Sequence, residues 1–251
     1  MPGRLAAGVA LALSASSAFA ELPGGFVYLR SVDPTILQEM RYAGAHNFTG
    51  RPVAGYEAAE CILTLQAAEA LKRVQDQVRG MYLTLKVYDC YRPKRAVSAF
   101  VAWSEVAGDE ETKAEFFPDI DKSRLFERGW IARRSGHSRG SSVDLTIVPL
   151  PPPSQRAYQP GELLIPCDEE RENRFPDNSL DFGTGYDCFN LRSYTADARV
   201  GDEAKKNRTL LLKLMAEAGF KNYRREWWHF DLVDEPFPDT YFDFPVTAPP
   251  P

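Results

Sequence analysis

Two short stretches hold the residue types that do chemistry. In SGHSRGSSVDLTI, His137 precedes Asp144 by seven positions, and in EWWHFDLV, His229 follows Glu226 by three. The glycine and serines after His137 suit a loop that turns into a strand, so the imidazole sits on the loop while Asp144 projects from the polar face of the strand's first residues. Strand alternation in the second stretch puts His229 on one face with Trp227 and Asp231 and leaves Trp228, Phe230 and Leu232 for the core. Glu226 has the opposite parity to His229 and reaches the same cavity only if the strand begins after it. Two imidazoles and one carboxylate supply the three protein ligands of a catalytic zinc site, with one position left for water. Coordination lowers the pKa of that water toward roughly 7, and a nearby carboxylate can take its proton during attack on a carbonyl. His137, Asp144 and His229 are therefore the expected ligands of one zinc ion per chain, and Glu226 the expected base.

Each residue alone has a plainer explanation. A lone histidine is most often a satisfied structural side chain, and an aspartate beside apolar residues is often a turn or a cap. Composition shifts the balance, because the chain has only three histidines and two of them each stand near an acid at a polar–apolar strand boundary. The third, His46 in AHNFTG, has no comparable acid in its stretch and reads as structural or peripheral.

The elements that must position these residues follow from hydrophobic spacing. Ile62, Leu65, Ala68, Leu71, Val74 and Val78 recur at three- and four-residue intervals, and Gly80 follows as a stop, so a helix is expected over Tyr56–Arg79. MYLTLKVYD alternates as a strand, and Pro93 opens a second helix running to about Val106. SSVDLTIV alternates again, with Val143, Leu145 and Ile147 on one face and Asp144 and Thr146 on the other. The proline-rich PLPPPSQRAYQPGE that follows is a long loop. A last helix over Arg208–Ala218 precedes a strand opening near Trp227, and the tail PFPDTYFDFPVTAPPP is too rich in proline for more. The expected fold is α+β: a central, mostly antiparallel sheet with packed helices, the zinc site at one end, and long loops.

At 251 residues, with 44% hydrophobic and 26% charged residues, the chain can bury a full core. A net charge of −5 and a pI near 5.4 argue against a phosphate-backbone binder, which would need a clustered basic surface, so nucleic acid is not an expected partner. The first twenty residues place one arginine before an apolar run and end in Ala18-Phe19-Ala20, the layout of a secretory signal peptide. The expectation is a leader over residues 1–20, a single domain over residues 21–251, export to a periplasmic space, and no membrane insertion after cleavage. Export favours two disulfides from the four cysteines. Three pairings are possible and sequence alone does not separate them. Cys61 with Cys90 is expected to tie a helix to the end of the following strand, and Cys167 with Cys188 to close a loop rich in turn residues. A cysteine zinc cluster lacks the C-x-x-C pair it would need.

The stretches RYAGAHNFTGRPVAGY, YDCYRPKRAV, SGHSRGSSVDLTI, DFGTGYDCF and EWWHF, in this order, resemble those of the zinc-dependent D-alanyl-D-alanine dipeptidases. That family includes the vancomycin-resistance D,D-dipeptidase and lies in the larger clan of D,D-carboxypeptidase-like and hedgehog-like zinc folds. The resemblance spans nearly all of the chain after the leader. It implies that His137, Asp144 and His229 bind zinc, that Glu226 is the general base, and that the substrate is the small dipeptide D-Ala-D-Ala. It also implies that Arg92, otherwise a surface cation or an ion-pair partner between a strand and a helix, polarises the scissile carbonyl and stabilises the oxyanion. Asp187 matches the position implied to hold the substrate's free ammonium, with Ser135 near the same pocket. The export signal and the cysteine set depart from the better-known cytoplasmic members. Two rivals share the metal: a zinc D,D-carboxypeptidase or endopeptidase acting on peptidoglycan stem peptides, and a non-catalytic zinc-binding module, against which Glu226 counts. The oligomeric state is not fixed by the sequence.

Overall fold

The computed structural model describes residues 21–250; the leader expected over residues 1–20 lies outside the described residues. The elements in chain order are β1 (Phe26–Tyr28), α1 (Leu29–Val32), β2 (Leu37–Gln38), β3 (Ile62–Thr64), α2 (Leu65–Arg79), β4 (Leu83–Asp89), α3 (Lys94–Glu105), α4 (Lys113–Phe116), β5 (Ser142–Pro149), α5 (Asp202–Glu217), β6 (Phe220–Asn222) and β7 (His229–Leu232). Five strands form one sheet in the order β2-β4-β5-β7-β6, antiparallel at every pairing except β2 with β4. β1 and β3 make a separate antiparallel ribbon. The expected α+β architecture with a mostly antiparallel sheet is the one observed.

Two cores hold the sheet in place. In α2, the stripe of Ala67, Ala68, Leu71, Val74 and Val78 is buried, and Thr64 caps the first turn by accepting from the Ala67 amide. This stripe packs with Leu85 and Val87 of β4, with Val143, Leu145 and Ile147 of β5, and with Leu211, Leu214 and Met215 of α5. The second core is aromatic and gathers around α3: Phe100 and Trp103 meet Phe48, Phe116, Phe117 and Phe189. Phe242 and Phe244 of the proline-rich tail close over Phe26 in the same cluster. The functional site lies where the two cores meet.

Several boundaries differ from those expected. α2 begins at Leu65 instead of Tyr56, because Ile62–Thr64 pair with β1 as a strand, and Tyr56 makes an isolated bridge to Val246. Cys61 therefore lies just ahead of a strand, not inside a helix. α5 begins at Asp202, six residues before the expected Arg208, since most of its first two turns face solvent and carry no apolar stripe. Arg208 itself is buried, its guanidinium donating to the carbonyls of Phe182, Arg192 and Tyr194. Trp227 does not share an outward face with His229. It sits in the turn ahead of β7, buried, with Nε1 donating to Thr184 Oγ1 and its ring stacked on Phe182.

The cysteines pair as Cys61–Cys90 and Cys167–Cys188, with Cα–Cα distances of 5.3 and 5.5 Å, and none is free. Among the described residues no helix is long and apolar enough to cross a membrane.

Candidate active site

The sheet register aligns three site residues. Asp89 on β4 pairs with Asp144 on β5, and Asp144 pairs with His229 on β7, so the three stand in a row across adjacent strands. His137 reaches this row from a short 3-10 turn, Gly136–Arg139, that leads into β5. The turn is capped by Ser135, whose hydroxyl accepts from the His137 amide. Gly140 then reverses the chain at φ 83°, where the Phe26 ring occupies the space a Cβ would need. The Arg92 amide donates to the His137 carbonyl, and His137 Nδ1 lies 2.7 Å from the carbonyl oxygen of Cys90. Cys90 is in turn held by its disulfide to Cys61. Glu226 occupies the turn before β7, as the parity argument required, with its carbonyl accepting from Asn222 Nδ2 and from the His229 amide.

Three atoms converge. His137 Nε2, Asp144 Oδ1 and His229 Nδ1 lie 3.1 Å (between the imidazoles), 3.3 Å (His137 to Asp144) and 3.0 Å (His229 to Asp144) apart. Ligands about 2.0–2.1 Å from a tetrahedral metal lie roughly 3.3 Å from one another, close to this spacing. The polarity of the contacts also fits a metal. The Nδ1–H of His137 is taken by the Cys90 carbonyl, which turns its Nε2 lone pair inward, and His229 Nε2 faces Asp231 Oδ1 at 3.4 Å, which turns its Nδ1 inward. Three acceptors facing one another need a cation between them. Where a proton serves instead, burial opposes it on His229, but Asp144 and Asp231 hold that imidazole's pKa well above the ordinary histidine value. Burial likewise opposes the charge on Asp144, and the two histidines overcome it, keeping the carboxyl below the usual carboxylate range. Asp144's second oxygen accepts from Tyr186 Oη at 3.0 Å.

The remaining expected residues surround this trio. Glu226 Oε2 is 3.8 Å from His229 Nδ1, and burial pushes its carboxyl up to about 7, with His229 pulling the other way. Arg92 lies between β4 and α3, where its Nε donates to Asp89 Oδ2 at 2.9 Å and its Nη2 is 3.7 Å from Asp144 Oδ2. Its guanidinium lies over the rings of Tyr42 and Phe100, which pack against each other. Asp187 is held at φ 56° and accepts from Tyr42 Oη at 2.7 Å; burial and the neighbouring Asp144 drive its carboxyl well above the usual range. Glu226, Arg92 and Asp187 line one cavity of about 270 Å³ together with the trio and Ser135. That is slightly below the roughly 300–1,000 Å³ of drug-sized sites, a size suited to a very small ligand. His46 lies elsewhere, buried with Nε2 2.8 Å from Glu115 Oε1 and Nδ1 2.9 Å from Arg41 Nη1, and takes no part in the trio.

The structure adds Asp89, Tyr42 and Tyr186 to the site. Asp89 accepts from Tyr56 Oη at 2.6 Å and from Arg92, and its Oδ2 is 3.5 Å from His137 Nδ1. Simple alternation puts Asp89 on the core face with Leu85 and Val87; a register shift between Val87 and Asp89 brings it opposite Asp144 instead. Tyr42 and Tyr186 come from segments without periodicity, and no spacing in the sequence marks them.

Comparison with known proteins shows the family. A family model described as D-ala-D-ala dipeptidase, of the M15 peptidases, matches residues 23–150 and 176–247. A D-alanyl-D-alanine dipeptidase of Enterococcus faecalis is 35% identical over 226 residues, covering 90% of this chain and 100% of the relative. One of Streptomyces coelicolor is 37% identical over 225 residues, again 90% of this chain and 100% of the relative. One of Escherichia coli is 29% identical over 206 residues, covering 82% of this chain and 83% of the relative. With the family's pattern running through both halves of the molecule and both imidazoles of the trio inside the matched stretches, the chain belongs to the D-ala-D-ala dipeptidase family of M15 metallopeptidases.

Proposed function

We propose that this protein hydrolyses the dipeptide D-Ala-D-Ala to free D-alanine, using one zinc ion held by His137, Asp144 and His229. The observation that carries the reading is the convergence of three acceptor atoms beside an acid, Glu226, in a cavity sized for a dipeptide. Two imidazoles and a carboxylate are a donor set suited to zinc. A zinc ion bound there supplies Lewis acidity, which polarises the scissile carbonyl and makes water a competent nucleophile near neutral pH.

The chain's own side chains do the rest. Glu226 takes the proton from the attacking water and delivers it to the leaving amine, so the carboxylate ends the cycle as it began. Arg92, fixed by Asp89 and resting on the Tyr42 and Phe100 rings, directs its positive charge at the oxygen on which negative charge develops. Asp187 pairs with the substrate's free ammonium, which supplies the positive partner this buried carboxyl lacks. A substrate with an acylated amine would leave that carboxyl without its partner, which favours dipeptides over longer chains. Ser135, whose hydroxyl accepts a hydrogen bond from the His137 amide, has its own hydrogen left to offer a substrate oxygen at the cavity wall.

Two disulfides among the described residues suit an oxidising compartment and support export, with residues 21–251 as one catalytic domain. The test is a comparison of D-Ala-D-Ala with a pentapeptide stem on the same metal-analysed sample. Release of D-alanine from the dipeptide and little from the stem, abolished by chelation and restored by zinc, is expected. Preference for the stem would make the protein a carboxypeptidase, and inertness toward both at full zinc occupancy would leave only a binding module.

A further inference from the structure

We infer that Asp231 is a positioning residue for the metal centre, fixing which nitrogen His229 presents, and that Gly136 is glycine to leave room for it. Asp231 follows His229 by two on β7, on the same face, and its Oδ1 is 3.4 Å from His229 Nε2. A carboxylate there selects the tautomer with hydrogen on Nε2, leaving the Nδ1 lone pair aimed at Asp144 and His137. Metal-binding histidines commonly owe their orientation and basicity to such a partner on the other ring nitrogen.

Asp231 is itself oriented. Ser142 is its register partner across the β5–β7 ladder, and the Ser142 hydroxyl donates to Asp231 Oδ1 at 2.5 Å. The Ser142–Asp231 pair occupies the space a side chain at Gly136, the residue before His137, would need. A Cβ at Gly136 would lie 2.7 Å from Ser142 Oγ and 2.8 Å from Asp231 Oδ1, so any side chain there must push the pair away. The turn that carries one imidazole thus leaves no room for a side chain beside the carboxylate that orients the other. Asp231's side chain is 37% exposed, so water competes for its oxygens and its effect falls at the low end of what such partners contribute.

This inference rests on the metal reading, and the experiment separates the two. Zinc is titrated into metal-stripped protein in competition with a chromogenic chelator, for the wild type and for Asp231→Ala, Asp231→Asn, Gly136→Ala and the Gly136→Ala/Asp231→Ala double variant. Loss of such a partner weakens metal affinity about 10–100-fold, and roughly tenfold is expected for Asp231→Ala. Asp231→Asn, which keeps an acceptor oxygen, should fall between it and the wild type. Gly136→Ala should weaken affinity in the wild-type background and add little once Asp231 is gone, because both changes remove the same contact. The thermal midpoint of each metal-stripped variant is the control, since a merely structural role would lower it together with affinity. A wild type that binds no zinc defeats the functional reading itself. A wild type that binds zinc while Asp231→Ala binds it within twofold as tightly overturns the inference alone.

Discussion

Asp144 on β5 and His229 on β7 are register partners in an antiparallel ladder, with Asp144 Oδ1 3.0 Å from His229 Nδ1. Their separation is set by the spacing of paired strands, not by a loop, so two of the three proposed ligands are preorganised by backbone hydrogen bonds. His137, from the turn, is brought to the pair by the Cys90 carbonyl, and Cys90 continues directly from Asp89 at the end of β4. The site is thus built on three neighbouring strands and one capped turn.

Asp144 is the proposed ligand whose loss should be felt most directly. Asp144→Asn keeps the shape but removes the charge that opposes a dication, and zinc affinity should fall by more than the roughly 100-fold upper limit for indirect partners. Equilibrium dialysis followed by metal analysis reads this. Retention of about one zinc per chain would remove Asp144 from the ligand set.

Glu226→Gln tests the proposed base without touching the proposed ligands. The amide occupies the same volume beside His229 but cannot accept a proton, so turnover on D-Ala-D-Ala should drop about 10²–10⁴-fold while zinc content holds. Equal turnover at equal occupancy would assign the proton transfer to another group.

The proposed oxyanion role of Arg92 and its pairing with Asp89 can be separated by a double variant. Asp89 is fully buried and its cation is Arg92, so Arg92→Met leaves a buried carboxylate with Tyr56 as its main donor. Breaking such a pair costs about 3–5 kcal/mol of stability, and loss of an oxyanion donor about 10²–10³ in kcat. In Arg92→Met/Asp89→Asn the stability should largely return, measured by urea unfolding, and kcat should not. Recovery of both would reduce Arg92 to a structural counter-ion.

How much of this could be read in the chain beforehand depends on where periodicity reached. The trio and Glu226 stood out because they flank regular strands, and β7 begins at His229 as the parity of Glu226 demanded. Asp89 was hidden by the register shift that rotates it off the face shared by Leu85 and Val87. Ile62 fitted a helical spacing with Leu65, yet it pairs with Tyr28 in a ribbon, a long-range choice that local spacing does not contain. The start of α5 escaped because its first turns are exposed, and Trp227 because a turn, not a strand, carries it. His46 had no acid near it in sequence, and its partner Glu115 lies 69 residues away.

The Cys167–Cys188 disulfide joins the segment between the two family-matched stretches to the residue after Asp187. Closing a loop with sequence separation 21 stabilises the fold by about 3 kcal/mol in the chain-entropy account. Cys167→Ser/Cys188→Ser should lose roughly that much in urea unfolding. Because Asp187 is held at φ 56° beside Cys188, KM for D-Ala-D-Ala should also rise several-fold while kcat changes less. An unchanged KM in a folded but destabilised variant would show that the bridge does not hold Asp187.

Away from the site, His46 should give stability an acid-sensitive component. Its ring stacks on Tyr158 and contacts Phe175, and the charged groups facing it are Arg41, Glu115 and Glu39. Burial and the Arg41 guanidinium lower its pKa below the ordinary 6.5, and together they outweigh the pull of Glu115. As pH falls the unfolded chain therefore takes up the proton first, so this contribution is complete above about pH 6.5 and is lost as pH drops toward the folded value. Asp177 in the adjoining network has a depressed pKa, and its contribution is lost at lower pH, below the ordinary carboxylate value. The advantage in urea midpoint of the wild type over His46→Gln should therefore be largest at pH 7 and shrink toward pH 5, whatever the slope the raised carboxyls of Glu226 and Asp187 give to both curves. Parallel curves for the two proteins would mean that the acid sensitivity in this range arises from other groups.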